Sequence, residues 1–406
     1  MSSDPISADA APIPYRDTQA TMRIKSSIIG LAIALATLSP VVAMARVAVV
    51  TGATRGIGRG IALELGSQGY TVYALGRSSR GKQTSERAVA ADLDLTVESA
   101  AEAINAAGGT GYGIACDLNN DDAISAALAL VSEAEGGQLD LLVCSAYTTP
   151  PGKLRGDFWT QGTAMWDACN GVGLRGVYSA CVQAVPMMID TAEKSGASSN
   201  APPPLIVLVS SFGGKSYTFN VAYGVGKAAI DRLATDMGYQ LGKRGVGTVS
   251  LYPGVVKTEG NLEMERRGEW AEASGGLALA DGESPMLSGK AVAALGKIGK
   301  EEFMSKYTGK VAVVAELASE LGFAEADGSV PASIRSLKYL APNFIFPQIE
   351  EESGEPVPDW IKENVPDIKL PWSVFSSGPP PDPPVGAAVA SDSAKGSVSN
   401  GPGAGD

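Results

Sequence analysis

Two short runs carry residue types and spacings that could do chemistry. In YGVGK, Tyr223 and Lys227 stand four apart, so a helix would hold a phenol above an ammonium on one face. In TGATRGIG, Gly52, Gly56 and Gly58 allow a tight turn and a close backbone approach. That run lies between the apolar residues Val47–Val50 and a helix-like stretch from Gly60 to Gly66. Strand, glycine turn and helix start together form a place where a pyrophosphate can rest on backbone N–H groups. The pair predicts redox chemistry on a bound nicotinamide. Arg55 lies inside the glycine loop, Arg77 follows Ala74-Leu75-Gly76, and no Asp or Glu occupies that strand end. Two guanidiniums suit a 2′-phosphate, so NADP(H) is favoured over NAD(H).

Composition excludes much else. The 406 residues contain no histidine, which removes Ser-His-Asp hydrolysis and most catalytic zinc sites, and no metal site is expected. The net charge of −12, with no basic block, argues against a nucleic-acid partner. Cys116, Cys144, Cys169 and Cys181 form no CxxC pair and read as small buried apolar residues. Cys169 and Cys181 fall on one predicted helix, roughly 18 Å apart, too far to bridge.

The elements that must position these residues alternate. Strands are predicted at 46–51, 70–75, 111–116, 139–144, 204–210 and 247–252, and helices at 58–68, 95–107, 121–135, 163–190 and 223–242. A further helix and strand, 285–299 and 309–313, could complete the sheet. The pattern predicts right-handed βαβ units in a doubly wound, three-layer α/β/α Rossmann domain. That domain spans 46–345, followed by an extension at 346–375 and a Pro/Gly/Ser/Ala tail at 376–406 expected to be disordered. The charged, glycine-rich stretch 259–283 suits a mobile lid over the substrate. Residues 1–45 read as a polar lead and then a signal-like or anchoring segment. Arg23 and Lys25 precede an apolar run, Ile28–Leu38, and the triplet Ala43-Met44-Ala45. This predicts secretory or organelle targeting, or membrane association through 24–45; a start at Met44 would instead leave a cytoplasmic protein.

TGATRGIG, Asp117, Ser210-Ser211, YGVGK and Pro253-Gly254 occur in the order of the short-chain dehydrogenases/reductases, which the chain resembles over roughly 46–260. Runs at 158–176, 216–227 and 308–328 are similar to one group in that family, dehydrogenase/reductase SDR family member 1. The resemblance implies NADPH-dependent reduction of a small or lipophilic ketone or aldehyde, and a homo-oligomer. It makes Tyr223 the general acid and Lys227 the group that depresses the phenol and holds the nicotinamide ribose. Ser211 would hydrogen-bond the substrate oxygen, with Ser210 as an alternative. Thr51, Gly52, Arg55, Gly56, Ile57 and Gly58 would form the cofactor loop. Asp117 would bind adenine, and Pro253, Gly254 and Thr258 would contact the nicotinamide.

Two departures stand out. The family's NNAG run reads Cys144-Ser145-Ala146-Tyr147, and its catalytic asparagine is Gly173, with Asn170 one turn earlier as a water-linked substitute. These changes favour a second reading, a non-catalytic NADP(H)-binding sensor or scaffold. The intact Ser211, Tyr223 and Lys227 oppose it.

Overall fold

The computed structural model describes residues 45–81, 93–148, 154–195 and 201–375. The expectations for 1–44 and 376–406 lie outside the described residues.

Seven parallel strands form one sheet in the order β3-β2-β1-β4-β5-β6-β7. They are β1 (Val47–Thr51), β2 (Thr71–Gly76), β3 (Thr110–Ala115), β4 (Leu141–Cys144), β5 (Leu205–Val209), β6 (Gly247–Tyr252) and β7 (Lys310–Val313). The helices between them are α1 (Gly56–Ser67), α2 (Val97–Ala106), α3 (Asp121–Ala134), α4 (Phe158–Asn170), α5 (Val177–Lys194) and α6 (Val221–Leu241). After β6 come α7 (Glu259–Arg266), α8 (Trp270–Ser274), α9 (Pro285–Leu295) and α10 (Lys300–Lys306), and after β7 comes α11 (Val314–Leu321). All the predicted strands form, with ends shifted by a residue or two.

Alternation along each strand builds two cores. In β1, Ala48 and Val50 join one apolar cluster with Ile61, Leu65 and Val292, while Val47 and Val49 join another with Leu142, Met188 and Ile206. Each fully buried Val, Leu, Ile or Met side chain among these contributes about 1.5–3 kcal/mol. Helices therefore cover both faces, as a parallel sheet requires.

Two expectations change. The helix predicted at 163–190 begins earlier, at Phe158, and widens to π-helical geometry over Gly171–Gly176 before α5 continues it. Three glycines let this segment lie close against its neighbours; a Cβ at Gly176, for instance, would lie 2.6 Å from the Leu118 carbonyl oxygen. The 259–283 stretch folds as α7 and α8 around its own apolar cluster of Met264, Trp270 and Leu279. Many of its charges, among them Glu265, Arg266, Arg267 and Glu272, lie on the outside of those helices, which is why composition alone suggested a looser segment. All four cysteines are free and buried, and Cys144 at the end of β4 packs in the same apolar cluster as Cys181 on α5.

Candidate active site

The strand order reverses between β1 and β4, and a cavity of about 500 Å³ opens there, at the carboxyl ends of the strands. Its first wall is the glycine loop. Gly52 and Gly56 take φ values of 71° and 55°, and a Cβ on Gly58 would stand 2.3 Å from the Gly52 carbonyl oxygen. No side chain fits, so β1 turns tightly into α1 and leaves that helix N-terminus facing the cavity.

The α1 terminus has no side-chain cap of its own, and the Gly56 N–H donates to Glu259 Oε2 at 2.7 Å. A carboxylate thus sits where a helix N-terminus attracts anions, and the donor set fits a diphosphate. Arg55 and Arg77 line the same mouth. Burial, and then Arg77 beside it, push the Arg55 guanidinium below its ordinary range, against the pull of Glu259.

Two predicted residues have other contacts. Thr51 is buried, and its Oγ1 accepts the N–H groups of Ser145 (3.2 Å) and Ala146 (3.3 Å), tying β1 to the end of β4. Asp117 is exposed and accepts the Asn119 N–H at 3.0 Å; Cys116 and Leu118, on either side of it, line the cavity.

At the cavity floor, Tyr223 Oη donates to Ser211 Oγ at 2.7 Å. Ser211 Oγ also accepts the Gly213 N–H at 3.0 Å, which fixes the hydroxyl. Ser210 is buried, and its Oγ donates to the Lys227 carbonyl oxygen at 3.1 Å. The alternation of β5 therefore settles which serine faces the phenol. Lys227 Nζ donates to the Val209 carbonyl oxygen at 3.1 Å and lies 5.7 Å from the Tyr223 ring centre. Burial pushes the Tyr223 phenol up to about 12, with the Ser211 hydrogen bond opposing it, and burial pulls Lys227 down to about 8. The expected depression of the phenol by Lys227 is not seen in the protein alone, where burial dominates both groups.

Several supporting residues gave no sequence signal as site residues. Asn220 caps α6: its Oδ1 accepts the Tyr223 N–H at 2.8 Å and its Nδ2 donates to the Leu154 carbonyl oxygen at 3.0 Å. Phe219, with φ 62°, sits in the left-handed region and sets its ring edge-on against Tyr223, 5.1 Å between centres. A bulky residue held there costs about 1–3 kcal/mol, and the Tyr223 contact shows what the strained turn positions. Asn170 does not line the cavity. Its Nδ2 donates to the Ala222 carbonyl oxygen at 3.2 Å, and a Cβ on Gly226 would come within 2.0 Å of its Oδ1. It braces α4 against α6.

The opposite wall follows β6. Pro253, Gly254 and Thr258 line the cavity, and Thr258 Oγ1 also accepts the Asn261 N–H at 3.2 Å to cap α7. Behind Gly254 is the buried Glu283, whose Oε1 would lie 2.7 Å from a Cβ at that position. The remaining lining is largely apolar, including Leu154, Met264, Trp270, Leu277, Ile334 and Tyr339. The C-terminal extension packs behind this wall. Trp372 meets Tyr252 at 5.7 Å and Phe375 meets Phe212, next to Ser211, at 5.0 Å between ring centres.

The sheet order, the glycine loop at its reversal and the cavity beside it define a doubly wound α/β protein with its site at the topological switch point. The model of the short chain dehydrogenase family matches residues 46–268, and the chain belongs to that family. It is 36% identical over 301 residues to dehydrogenase/reductase SDR family member 1 of Mus musculus, covering 72% of this chain and 87% of the relative. For the Homo sapiens relative of the same name the identity is 34%, covering 78% and 95%. Among solved structures, a putative dehydrogenase from Xanthomonas campestris superimposes with a TM-score of 0.55 at 23% identity, covering 70% of this chain and 93% of that one. The chain thus falls in the member 1 group of short-chain oxidoreductases.

Proposed function

We propose that the protein is an NADPH-dependent reductase of lipophilic ketones or aldehydes, with Tyr223 as proton donor. One observation carries this reading: the Tyr223 hydroxyl bonded to Ser211 at 2.7 Å, one helical turn from Lys227, at the floor of a largely apolar cavity. When bound, the nicotinamide supplies a hydride. The glycine loop and the α1 N-terminus would hold its diphosphate, with Arg55 and Arg77 at the adenosine ribose. Thr51 and Asp117 would act indirectly, through the strand end and loop they fix. Ser211 orients the substrate oxygen, Tyr223 delivers the proton to it, and Lys227 keeps positive charge beside the phenol as it loses that proton. The apolar lining would desolvate a lipophilic carbonyl, for which side chains such as Leu154, Met264, Trp270 and Leu277 offer contact.

The testing experiment is a carbonyl panel on the full chain, read as oxidation of NADPH and of NADH. Turnover favouring NADPH is expected. Dinucleotide binding with no turnover across aliphatic, aromatic and polycyclic carbonyls would favour the sensor or scaffold reading. Replacing Arg77 with Asp removes one of the two guanidiniums and should weaken NADPH binding about 10- to 100-fold while sparing NADH. Titration of both cofactors against the variant checks this, and unchanged NADPH affinity would remove Arg77 from the 2′-phosphate site. Glu259 competes for the same Gly56 N–H, so Glu259→Gln should tighten binding of either cofactor a few-fold by removing a like charge; calorimetric Kd values decide it.

A further inference from the structure

Tyr147 stands inside the site with no part in the chemistry described so far. It follows β4, and its ring lies between the π-helical segment and the Tyr223–Lys227 pair. A Cβ on Gly173 would come within 2.9 Å of Tyr147 Cδ2 and 3.2 Å of Cε2, so the ring occupies the space a side chain at 173 would need. On its other side, Lys227 Nζ is 5.2 Å from the ring centre. The Tyr147 and Tyr223 rings meet edge to face with centres 5.9 Å apart. The Tyr147 ring also packs against the small apolar cluster of Met165, Cys169 and Ala222, so it is held from the α4 and α6 side as well.

A partly desolvated ammonium gains from an aromatic face within about 6 Å, because the ring quadrupole is negative there. Among the described residues Lys227 Nζ donates one hydrogen bond, to Val209, out of the three an ammonium can donate. The carboxylate one turn along, Asp231, is engaged by Ser250, Tyr252 and Lys215. We propose that Tyr147 is a positioning residue whose ring face holds the Lys227 ammonium beside Tyr223, and that Gly173 is glycine to admit that ring. The two departures in the sequence, at 144–147 and at 173, are then one exchange. A ring supplied from the end of β4 takes the space of a side chain on the helix. The catalytic meaning of this contact rests on the reading of Tyr223 and Lys227 as the proton-delivering pair; the contact between ring and ammonium does not.

The test uses two readouts on the cofactor-free full chain. The first is an NMR titration of ¹³Cε-labelled lysine, with Lys227 assigned through Lys227→Arg. The groups facing Lys227 are Tyr223 and Asp231 from α6, Cys169 from α4 and Tyr147 from the β4 loop. Tyr147→Leu keeps an apolar wall but removes the ring, so the Lys227 midpoint should fall by about 0.5–1.5. Tyr147→Phe keeps the face and should hold the midpoint. Equal behaviour of the two variants, whether both shift or neither does, would overturn the proposal. The second readout is thermal unfolding. Gly173→Ala should lower Tm by a few degrees in the wild-type background and much less in Tyr147→Ala, where the ring is gone. An equal loss in both backgrounds would show that the pair is not matched. Neither readout needs a substrate, so absent carbonyl turnover alongside these shifts would remove the reductase reading and leave this one standing.

Discussion

Replacing Tyr223 with Phe should lower carbonyl-dependent oxidation of NADPH by about 10²- to 10⁴-fold, the range of a lost general acid. The change removes one hydroxyl and keeps the ring. Its edge contacts with Phe219 (5.1 Å) and Tyr147 (5.9 Å) survive, so the fold and the cavity shape should persist. Cofactor affinity should stay within a few-fold, which separates lost chemistry from lost binding. The wild-type pH profile adds a second mark. Burial holds the phenol up at about 12, so it is protonated throughout the working range, while Lys227 sits near 8. Lys227 is charged below that value and neutral above it. Turnover in the reducing direction should therefore decline as pH rises through about 8, where the positive charge beside the departing proton is lost. Activity retained in the Phe variant would sink Tyr223 as the acid, whatever the profile.

Replacing Glu283 with Gln should remove a stability loss of about 3–5 kcal/mol that the wild type undergoes between roughly pH 5 and 8. Glu283 is 2% exposed, its backbone is tied to Val255 and Lys257, and its Oε2 has no hydrogen-bond partner among the described residues. Burial pushes its carboxyl from 4.5 up to about 8; the Gly254 N–H opposes this and Glu325 adds to it. The folded protein therefore holds a proton that the unfolded chain releases near 4.5. That contribution is fully present below 4.5 and is lost as pH rises to about 8. Glutamine matches the shape and carries no ionisable proton, so its stability should stay flat across the window. Urea unfolding at several pH values decides the matter, and parallel curves for the two proteins would place the titration elsewhere. Because Glu283 packs directly behind Gly254, its ionisation would also loosen the wall that carries Pro253 and Thr258.

How much of this was legible beforehand depends on the range of the interaction. The strands, the glycine turn and the helical pairing of Tyr223 with Lys227 are local patterns: period 2, period 3.6 and a handful of obligatory glycines. They were readable because each is set by neighbours within one element. Ser211 was preferred over Ser210 only through the family resemblance, since the contact with the phenol depends on the facing of β5 relative to α6. Asn170 looked suited to the site on its own helix, yet α6 captures its amide through Ala222. Glu283 was only one of several charges in the stretch read as a lid, and it is the fold that buries it behind Gly254.

By itself, then, the sequence determined the doubly wound α/β architecture and the phenol–lysine pair behind a glycine loop. Both follow from short-range periodicity and from conformations only glycine allows. The tertiary structure alone decided what surrounds that pair: Ser211 on the phenol, Asn220 and Phe219 behind it, and the Tyr147 ring against Lys227 over Gly173. Those contacts join residues far apart in the chain. Their energies depend on distance and desolvation in space, and neither is written in the order of the residues.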